Sequence, residues 1–338
     1  MTDERMALVI GATGGIGGEA ARALLRHGWR VRALTRRPED AVRRFASLGA
    51  IEWVRGDALD RESVIAAADG VQLIVHAANP PQYRDWPKLV LPMLNNSIAA
   101  AEASGARIFL PGTVYNFSAD SHTLLTEATP QTATTRKGKI RIDMEDALKA
   151  ASARGVRTLI IRAGDFFGPH TGNSWFSQGL IQPGKPVRSI TDPGRPGVGH
   201  AWAYLPDVGE TLARIMEREN SLSDFEVFHF GGHWCDTGNE FAEVIGRVTG
   251  NPKLPVRRLP WLAVGAASFF VPLMRELWEM RYLWRVPVRL DNRKLLAFLG
   301  HEPHTPLDEA IRTSLAGLGC LPDRSAAPLG METPRHTS

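Results

Sequence analysis

The sequence predicts an α/β fold of the doubly wound type, in which helices cover both faces of a parallel β-sheet. Short runs rich in β-branched residues alternate with helical patterns through the first half of the 338-residue chain, and this is the order that βαβ units produce. Apolar residues make up 43% of the chain and charged residues 22%. A chain of this length and composition can bury a full α/β core and a smaller second lobe.

Six predicted strands share an enrichment in β-branched and other apolar residues. They are Met6 to Ile10, Trp29 to Thr35, Ile51 to Val54, Leu73 to Ala77, Arg107 to Leu110 and Thr158 to Arg162. The helices predicted between them end in or close to glycine, aspartate or another stop signal. They are Gly17 to His27, Glu39 to Leu48, Arg61 to Ala68, Trp86 to Ser104 and Lys137 to Arg154.

The second half of the chain is expected to hold a long loop and a mostly helical lobe. Gly168 to Gly199 is rich in Gly, Pro, Ser and Asn, so we expect no regular structure there but a loop over a site. After this loop we expect a helix that is capped by Asp207 and reaches about Glu219, a strand from Phe225 to Phe230 and a helix from Glu240 to Val248. The segment from Trp261 to Leu318 is expected to be mostly helical. The tail from Leu321 to Ser338 is expected to be disordered.

Composition argues against several classes of protein. The formal net charge of +4 is too small and too scattered to indicate a nucleic-acid surface. Cys235 and Cys320 form no spaced framework, and the N-terminus has no signal-peptide core, so we expect a cytoplasmic protein without a disulfide scaffold.

The apolar stretch from Trp261 to Met274 carries Pro272 and is too short to span a bilayer. We interpret it as a buried or lid helix, and a role at a membrane surface stays open.

The first strand runs directly into a glycine-rich turn. The turn reads Gly11-Ala12-Thr13-Gly14-Gly15-Ile16-Gly17 and is followed by a helix. Glycines at 11, 14 and 17 suit a tight turn, a close approach of diphosphate to the backbone and close packing of helix on strand. The freed backbone N–H groups and the helix dipole would then face the phosphates. This order of strand, turn and helix predicts a dinucleotide site.

The end of the second strand favours NADP over NAD. An NAD site usually places an acid there for the ribose hydroxyls, whereas an NADP site has a neutral residue and arginine for the extra phosphate. This chain reads Thr35-Arg36-Arg37, and no acid occurs before Glu39. Arg36, helped by Arg37, is predicted to bind the phosphate, with NAD as the second choice. The alternative is a solvated basic helix start.

Two further strand ends fit the same ligand. Gly56-Asp57-Ala58 closes the third strand, where the carboxylate of Asp57 can accept a hydrogen bond from the adenine amino group. Ala77-Ala78-Asn79 closes the fourth strand, where small residues leave space beside the ribose. Asp57 is equally explained as a turn or cap residue.

These residues together resemble the extended short-chain dehydrogenase/reductase superfamily, in its NAD-dependent epimerase/dehydratase branch. The resemblance also includes three later motifs: Gly112-Thr113-Val114-Tyr115, Arg162-Ala163-Gly164-Asp165-Phe166-Phe167-Gly168-Pro169 and Tyr204-Leu205-Pro206-Asp207-Val208. It implies a Rossmann-type NADP-binding domain over residues 1–168, rejoined by 200–231. Residues 169–199 and 232–320 are then expected to form the substrate lobe.

The catalytic pair that the family uses is missing. Family enzymes carry a tyrosine and a lysine four residues apart on one helix, but the matching positions here are Lys137 and Arg141, and the family serine falls on Pro111. Residues 137 and 141 share a helix face. Arg141 could hold the ribose hydroxyls, and the proton of a hydride reduction would come from Lys137 or from the hydroxyl of Tyr115 assisted by Thr113. The alternative is a basic helix start in solvent.

Other candidate residues have simpler explanations. His229 and His233, with Cys235 and Asp236, could be metal ligands, but a strand followed by a turn is simpler and no metal site is predicted. The segment after Gly168 holds residues that could touch substrate: His170, Asn173, Trp175 and Phe176. The aromatic residues of the last segment are expected in the core of the small lobe: Trp261, Phe269, Phe270, Trp278, Tyr282 and Trp284.

The sequence therefore favours an NADP(H)-binding oxidoreductase, or a related epimerase or dehydratase, that acts on a small carbonyl or hydroxyl compound. A sensor that binds NADP without turning it over is the alternative, because the usual catalytic pair is absent. We expect no nucleic-acid partner and no membrane span. A homodimer is expected by analogy only.

Overall fold

The computed structural model describes residues 5–80, 85–121, 123–172 and 174–321. Its strands alternate with helices through the first half of the chain. The strands are β1 Met6–Ile10, β2 Arg30–Thr35, β3 Ile51–Arg55, β4 Leu73–His76, β5 Arg107–Thr113, β6 Leu124–Leu125, β7 Thr158–Ala163, β8 Asp165–Phe167, β9 Ile190–Asp192, β10 His200–Tyr204, β11 Phe225–His229, β12 His233–Cys235, β13 Val256–Arg258 and β14 Arg289–Leu290.

Helices lie between the strands of the main sheet, and five more follow in the described part of the last third of the chain. They are α1 Gly15–Arg26, α2 Pro38–Arg44, α3 Arg61–Ala67, α4 Trp86–Ser104, α5 Arg136–Ser152, α6 Leu205–Met216, α7 Glu240–Val248, α8 Trp261–Ala267, α9 Pro272–Met280, α10 Arg293–Leu299 and α11 Leu307–Gly317. The six strands predicted first and the five helices between them are all present, with ends shifted by a few residues.

The main sheet has seven strands in the order β11-β7-β5-β4-β1-β2-β3. Every neighbouring pair in it is parallel. The chain builds β1 to β3 outward in one direction and then crosses back to place β4 on the other side of β1. The strand order therefore reverses between β1 and β4, and a doubly wound sheet binds its ligand at the carboxyl ends beside such a point.

Two apolar layers cover this sheet, one on each face. On one face, residues of α1 and α6 pack against alternate residues of the strands. On the other, residues of α3, α4 and α5 pack against the remaining ones. Gly209 of α6 lies so close to α1 that an added Cβ would be 2.6 Å from the carbonyl oxygen of Glu19. The fold class predicted from the sequence is thereby confirmed.

The segment after β8 is more regular than the sequence suggested. Gly168 to Gly199 was expected to lack regular structure, but it contains a π-helical turn at Phe176–Leu180 and strand β9. β9 is formed because it pairs in parallel with β13, more than 60 residues later. Local composition carries no signal for such a long-range partner, and that prediction was wrong.

Asp207 does not cap α6, as the sequence suggested. The helix begins two residues earlier, after Tyr204, and Asp207 lies inside its first turn. Its carboxylate accepts hydrogen bonds from the backbone N–H and the hydroxyl of Thr305, both at 2.7 Å. Asp207 therefore ties the C-terminal segment to α6. Burial raises its pKa, and the bonds from Thr305 act against that rise.

The apolar stretch from Trp261 to Met274 is neither one helix nor fully buried. It divides into α8, a turn and the start of α9. Phe269 and Phe270, expected in the core, are 79% and 86% exposed, whereas Trp284 is buried. Among the described residues, no helix has both the length and the apolar character that crossing a bilayer requires.

Of the tail predicted to be disordered, residues 322–338 lie outside the described residues.

Candidate functional site

The glycine-rich turn lies at the point where the strand order reverses. Gly11 has φ of +97°, and an added Cβ would be 2.5 Å from the carbonyl oxygen of Ala77. Gly17 is equally constrained, since its Cβ would be 2.3 Å from the carbonyl oxygen of Gly11. The backbone N–H of Gly14 donates to that same carbonyl at 2.9 Å. Only glycine at positions 11 and 17 lets β1, α1 and the end of β4 come this close.

The start of α1 has the properties of an anion site. Gly14 is the N-cap, no side chain caps the helix, and its first turn holds no acidic residue. Thr13 and Gly14 are exposed, and Gly15 and Ile16 are half-buried. Four backbone N–H groups at a helix start have no partner within the helix, and the dipole there favours negative charge. These residues fit the diphosphate of a dinucleotide.

The ends of β2 and β3 form a basic edge. Thr35 pairs with Arg55 in the sheet, and the side chains of Arg36 and Arg37 are exposed. The guanidinium of Arg55 donates to the carbonyl oxygen of Arg36 at 3.1 Å and to the carboxylate of Glu39 at 2.6 Å. Arg55 thereby neutralises the first acid that follows β2, and the edge keeps a positive surplus.

Sequence reasoning did not single out Arg55. Its position just before Gly56-Asp57, at the carboxyl end of a parallel strand, was a usable signal, because the carboxyl ends of β2 and β3 meet at the same edge. The pKa of Glu39 is lowered, first by a backbone hydrogen bond of its own residue and then by the charge of Arg55. Glu39 is therefore an ion-pair partner of Arg55.

The other predicted adenosine contacts have internal partners as well. Oδ1 of Asp57 accepts the backbone N–H of Leu59 at 3.0 Å, which is a turn role. The carbonyl oxygen of Ala58 accepts from Asn96 at 2.9 Å. The side-chain oxygen of Asn79 accepts the indole N–H of Trp86 at 2.6 Å. All three lie at strand ends on the glycine-turn edge, beside the half-buried Ala77 and Ala78.

Lys137 is buried at the start of α5 instead of lying in solvent. Its ammonium nitrogen is 3.4 Å from Oε2 of Glu276 on α9, and burial lowers its pKa while the charge of Glu276 opposes that shift. Arg141, one turn later, donates to the carbonyl oxygen of Pro111 in β5 at 3.3 Å. Its guanidinium also lies 5.3 Å from the ring centre of Trp86. The alternative of a solvated basic helix start does not apply to these two side chains.

Tyr115 lies close to the start of α5 and just beyond the carboxyl end of β5. The hydroxyl of Thr113 accepts the backbone N–H of Tyr115 at 3.2 Å and begins the short 3-10 turn that holds it. An added Cβ on Gly138 of α5 would be 2.3 Å from the carbonyl oxygen of Tyr115. Thr113, Tyr115, Lys137 and Arg141 are therefore brought to one edge of the sheet.

A hydrogen-bonded chain runs from Tyr115 to residues of β8 and β10. The phenol hydroxyl of Tyr115 donates to Oδ1 of Asp165 at 3.3 Å. Nε2 of His200 lies 2.9 Å from Oδ2 of the same carboxylate. Asp165 and His200 are both buried, with 6% and 8% of their surfaces exposed. The sequence showed Asp165 only as part of a family motif and did not single out His200, because these residues are 50 to 85 positions from Tyr115.

His200 is fixed from three sides. Its Nδ1 lies 3.3 Å from the carbonyl oxygen of Leu283, and its ring stacks on Trp284 with 3.8 Å between centroids and 6° between planes. Both ring nitrogens thus face oxygen atoms. His200 also lines a small pocket with Asp192, Trp202, Phe241 and Trp284.

A buried ion pair lies next to the turn that holds Tyr115. Arg162 at the end of β7 contacts both carboxylate oxygens of Glu145 on α5, at 3.1 and 2.6 Å. Asn116 also donates to Glu145, at 2.9 Å. Removing one member of such a pair leaves an uncompensated buried charge. This network fixes α5, β7 and the turn after β5 relative to one another.

The two histidines near the end of β11 contact other side chains of the protein. His229 lies 3.2 Å from the guanidinium of Arg162, and burial followed by that charge lowers its pKa to about 3. His233 packs beside His304 with 4.4 Å between ring centres. Among the described residues, no group of three or more His, Cys, Asp or Glu side chains could hold a metal ion.

The loop residues proposed to touch substrate divide into several groups. His170 lies 2.8 Å from the carboxylate of Glu19 on α1, and Phe176 is fully buried in the lobe core, so both have structural contacts. Trp175 packs on Trp284, with 5.2 Å between ring centres, and lies near the His200 pocket. Asn173 lies outside the described residues.

Curated relatives match only part of the chain. The NmrA-like family domain-containing oxidoreductase notA of an Aspergillus species is 44% identical over 70 residues, which are 20% of each chain. The ceramide reductase of Caulobacter vibrioides is 33% identical over 172 residues, which are 50% of this chain and 49% of that protein. The matches thus span between a fifth and a half of the length of these relatives.

Solved structures match almost the whole chain at low identity. The UDP-glucose 4-epimerase of Bifidobacterium longum, solved with NAD+ and UDP, superimposes with a TM-score of 0.71 and 15% identity. The alignment covers 94% of this chain and 100% of that one. The likeness confirms the fold expected from the resemblance to the epimerase/dehydratase branch of the extended short-chain dehydrogenases.

A family model described as NAD(P)H-binding matches residues 11–179, which is half of the chain. The matched region begins at Gly11, the first glycine of the turn, and includes the ends of β2 to β5 and β7. The chain therefore belongs to the NAD(P)H-binding family, on a fold shared with the extended short-chain dehydrogenases.

Proposed function

We propose that this protein is an NADP(H)-dependent oxidoreductase that reduces a carbonyl group, or oxidises the matching hydroxyl, on a compound with an apolar body. The hydroxyl of Tyr115 is the proton donor, and Asp165 and His200 position it and resupply its proton. The observation that carries the proposal is the hydrogen-bonded chain that runs from the half-buried Tyr115, just beyond the carboxyl end of β5, to the buried Asp165 and His200.

The cofactor would be held by the first part of the chain. The start of α1 would bind the diphosphate, and Arg36, with Arg37 and Arg55 beside it, would bind the adenosine phosphate. Bound NADPH supplies a hydride to the carbonyl carbon. A preference for NADP is supported by the exposed guanidinium groups at the ends of β2 and β3 and by the pairing of Glu39 with Arg55.

The proton that reaches the substrate is replaced from water through three side chains. As the carbonyl oxygen gains charge, Tyr115 transfers its phenol proton to that oxygen. Asp165 takes up a proton at Oδ2 from Nε2 of His200 and becomes a carboxylic acid. Once this carboxyl group has turned toward the phenolate, it returns the proton to Tyr115, which restores the tyrosine hydroxyl and the Asp165 carboxylate and leaves neutral histidine. His200 then regains a proton from water in the pocket that it lines. The reverse sequence accompanies oxidation of a hydroxyl.

The choice of an apolar substrate rests on the surroundings of this chain. Trp284, Trp202 and Phe241 line the pocket beside His200, and Trp175 packs on Trp284. Aromatic side chains beside a few polar groups favour contact with the apolar part of a ligand. One of the partial relatives is named a ceramide reductase, which fits a carbonyl on a lipid-like compound.

Single variants assayed for NADPH consumption with a panel of long-chain ketones and aldehydes test the proposal. Tyr115→Phe should lower kcat by about 10²- to 10⁴-fold, the range of one general acid, with NADPH affinity unchanged. Asp165→Asn and His200→Gln should lower kcat less and change its pH dependence. Tyr282→Phe is the matched control, because its hydroxyl donates at 2.8 Å to the backbone carbonyl of Phe117 and makes no hydrogen bond to Asp165.

Two outcomes would contradict this assignment in different ways. If Tyr115→Phe keeps its turnover and Lys137→Met loses it, the donor is Lys137. If the protein binds NADPH but consumes none with any compound of the panel, the sensor alternative replaces the enzyme. The ion pair between Lys137 and Glu276 is the observation that favours the sensor, since it neutralises the residue at the usual tyrosine position.

A further inference from the structure

The turn between α8 and α9 presents an apolar surface that the proposed reaction does not use. Leu262, Phe269 and Phe270 are 89%, 79% and 86% exposed. Three such large side chains within nine residues are unusual on a protein surface, where single exposed apolar residues are the norm. We name Leu262, Ala266, Phe269 and Phe270 the α8 apolar stripe.

Backbone geometry places these side chains on one face. The backbone N–H groups of Ser268 and Val271 donate to the carbonyl oxygens four residues earlier, at 2.9 Å each, so helical winding continues past the end of α8. Positions 262, 266, 269 and 270 are then spaced i, i+4, i+7 and i+8, which is one helical stripe.

The opposite face of the same turn is firmly attached to the protein. Val264 is buried, and an added Cβ on Gly265 would be 2.9 Å from the ring of Trp278 on α9. The indole N–H of Trp261 donates to the carbonyl oxygen of Pro193 at 2.8 Å. These contacts fix the inner face of the turn against the protein, so the α8 apolar stripe on its outer face points to solvent.

The segment that carries the stripe is rich in basic residues. Residues 251–290 carry seven basic and two acidic side chains, an excess of five, whereas the whole chain has an excess of four. The basic ones are Lys253, Arg257, Arg258, Arg275, Arg281, Arg285 and Arg289. Both acids, Glu276 and Glu279, are ion-paired with Arg136 at the start of α5. The positive surplus of the protein is thus concentrated in the segment of sequence that carries the stripe, although Arg258 is itself paired with Asp192.

We infer that the α8 apolar stripe docks on the surface of a lipid bilayer that contains anionic headgroups. An apolar stripe inserts at the boundary of headgroups and acyl chains, and flanking arginines add attraction to anionic lipid. Arg275 is well placed for this, since its guanidinium donates to the carbonyl oxygen of Ser268 at 3.3 Å. The inference goes beyond the proposed reaction and does not depend on it.

The docking surface is connected to the candidate site. Glu276 of α9 contacts Lys137, and Trp261 at the start of α8 lies 6.3 Å, between ring centres, from Trp175, which packs on Trp284. A protein docked through the stripe would hold the aromatic wall of the His200 pocket next to the bilayer.

Flotation of the full chain with lipid vesicles tests the inference. We expect the protein to float with phosphatidylcholine vesicles that contain added phosphatidylglycerol, and less with phosphatidylcholine alone. A Phe269→Ser, Phe270→Ser double variant should lose at least about tenfold in partition, since burying one aromatic side chain corresponds to roughly that factor. Val42→Ser is the matched control, because Val42 on α2 is an exposed apolar residue away from the stripe.

Several results would overturn the inference. One is a wild-type protein that does not float with either vesicle, and another is a double variant that floats as well as wild type. A third is a wild-type dimer that the double variant converts to a monomer with no vesicle binding, which would make a second copy the occupant. Equal melting temperatures of the variants and wild type show that these readouts report on the surface.

Discussion

The two halves of the candidate site are built in different ways. The cofactor edge is formed by backbone: Gly11 and Gly17 allow strand and helix to touch, and the start of α1 offers N–H groups with no capping side chain. The proton chain is formed by side chains from distant segments, Tyr115 after β5, Asp165 in β8 and His200 in β10. A site made of local backbone is visible in sequence, and a site made of remote side chains is not.

The largest expected effect comes from a substitution in the cofactor edge, which is formed by backbone. Gly11 and Gly28 both have φ in the left-handed region, at +97° and +75°, but only Gly11 has backbone atoms where a Cβ would stand. Gly28→Ala should cost about 1–2 kcal/mol of unfolding free energy from the dihedral alone. Gly11→Ala adds a clash with the carbonyl of Ala77 and should cost about 3 kcal/mol or more in total, with loss of NADPH binding.

Chemical denaturation and NADPH titration of the two variants measure this difference. If Gly11→Ala unfolds no more easily than Gly28→Ala and binds NADPH normally, the close approach of β1 to the end of β4 is not required, and the comparison between backbone and side-chain sites fails.

The next prediction concerns whether the main sheet and the segment around β12 unfold in one transition. His76 lies in β4 of the cofactor half and His233 in the lobe, and burial lowers the pKa of each to about 4. Each is therefore neutral in the folded protein, while the unfolded chain binds a proton below the ordinary pKa of 6.5. The free energy of unfolding should fall as the pH drops from about 6.5 to 4, by about 3 kcal/mol for each histidine.

Denaturation of His76→Asn and His233→Asn at several pH values checks this expectation. Each variant should show a flatter dependence of the same transition on pH, by one proton. Two separate transitions, each sensitive to only one of the substitutions, would show that the region around His76 and the region around His233 unfold independently.

The smallest effect concerns the cofactor preference. Arg36→Ala should raise the Kd for NADPH by about ten- to a hundredfold, which corresponds to loss of one charge-assisted hydrogen bond, and should leave the Kd for NADH unchanged. Arg43→Ala is the matched control, since Arg43 is an exposed arginine nearby that is paired with Asp40 at 2.7 Å. Equal effects of the two variants on NADPH would mean that only the general positive field of this edge acts.

The sequence predicted most of the fold for a physical reason. Apolar periodicity and the glycine turn are local patterns, so β1 to β5, β7 and the helices between them could be read directly, as could Gly11 to Gly17. β9 was missed because its pairing partner β13 lies more than 60 residues away. Phe269 and Phe270 were misplaced in the core because hydrophobicity alone does not tell an inward side chain from one that faces outward.

The same reason limits what could be predicted at the site. Lys137 and Arg141 were found through the resemblance of α5 to the family helix, and Tyr115 through its motif after β5. The burial of Lys137 against Glu276 depends on α9, about 140 residues later, and His200 is defined by Asp165, Leu283 and Trp284 together. No spacing rule connects these positions.

Calorimetric titration of the wild-type protein with NADPH and with NADH tests the central claim most directly. We expect one molecule of NADPH per chain, bound more tightly than NADH because of the basic edge at the ends of β2 and β3. Tighter binding of NADH would contradict the cofactor choice. A well-folded protein that binds neither dinucleotide would contradict the whole assignment of the glycine turn.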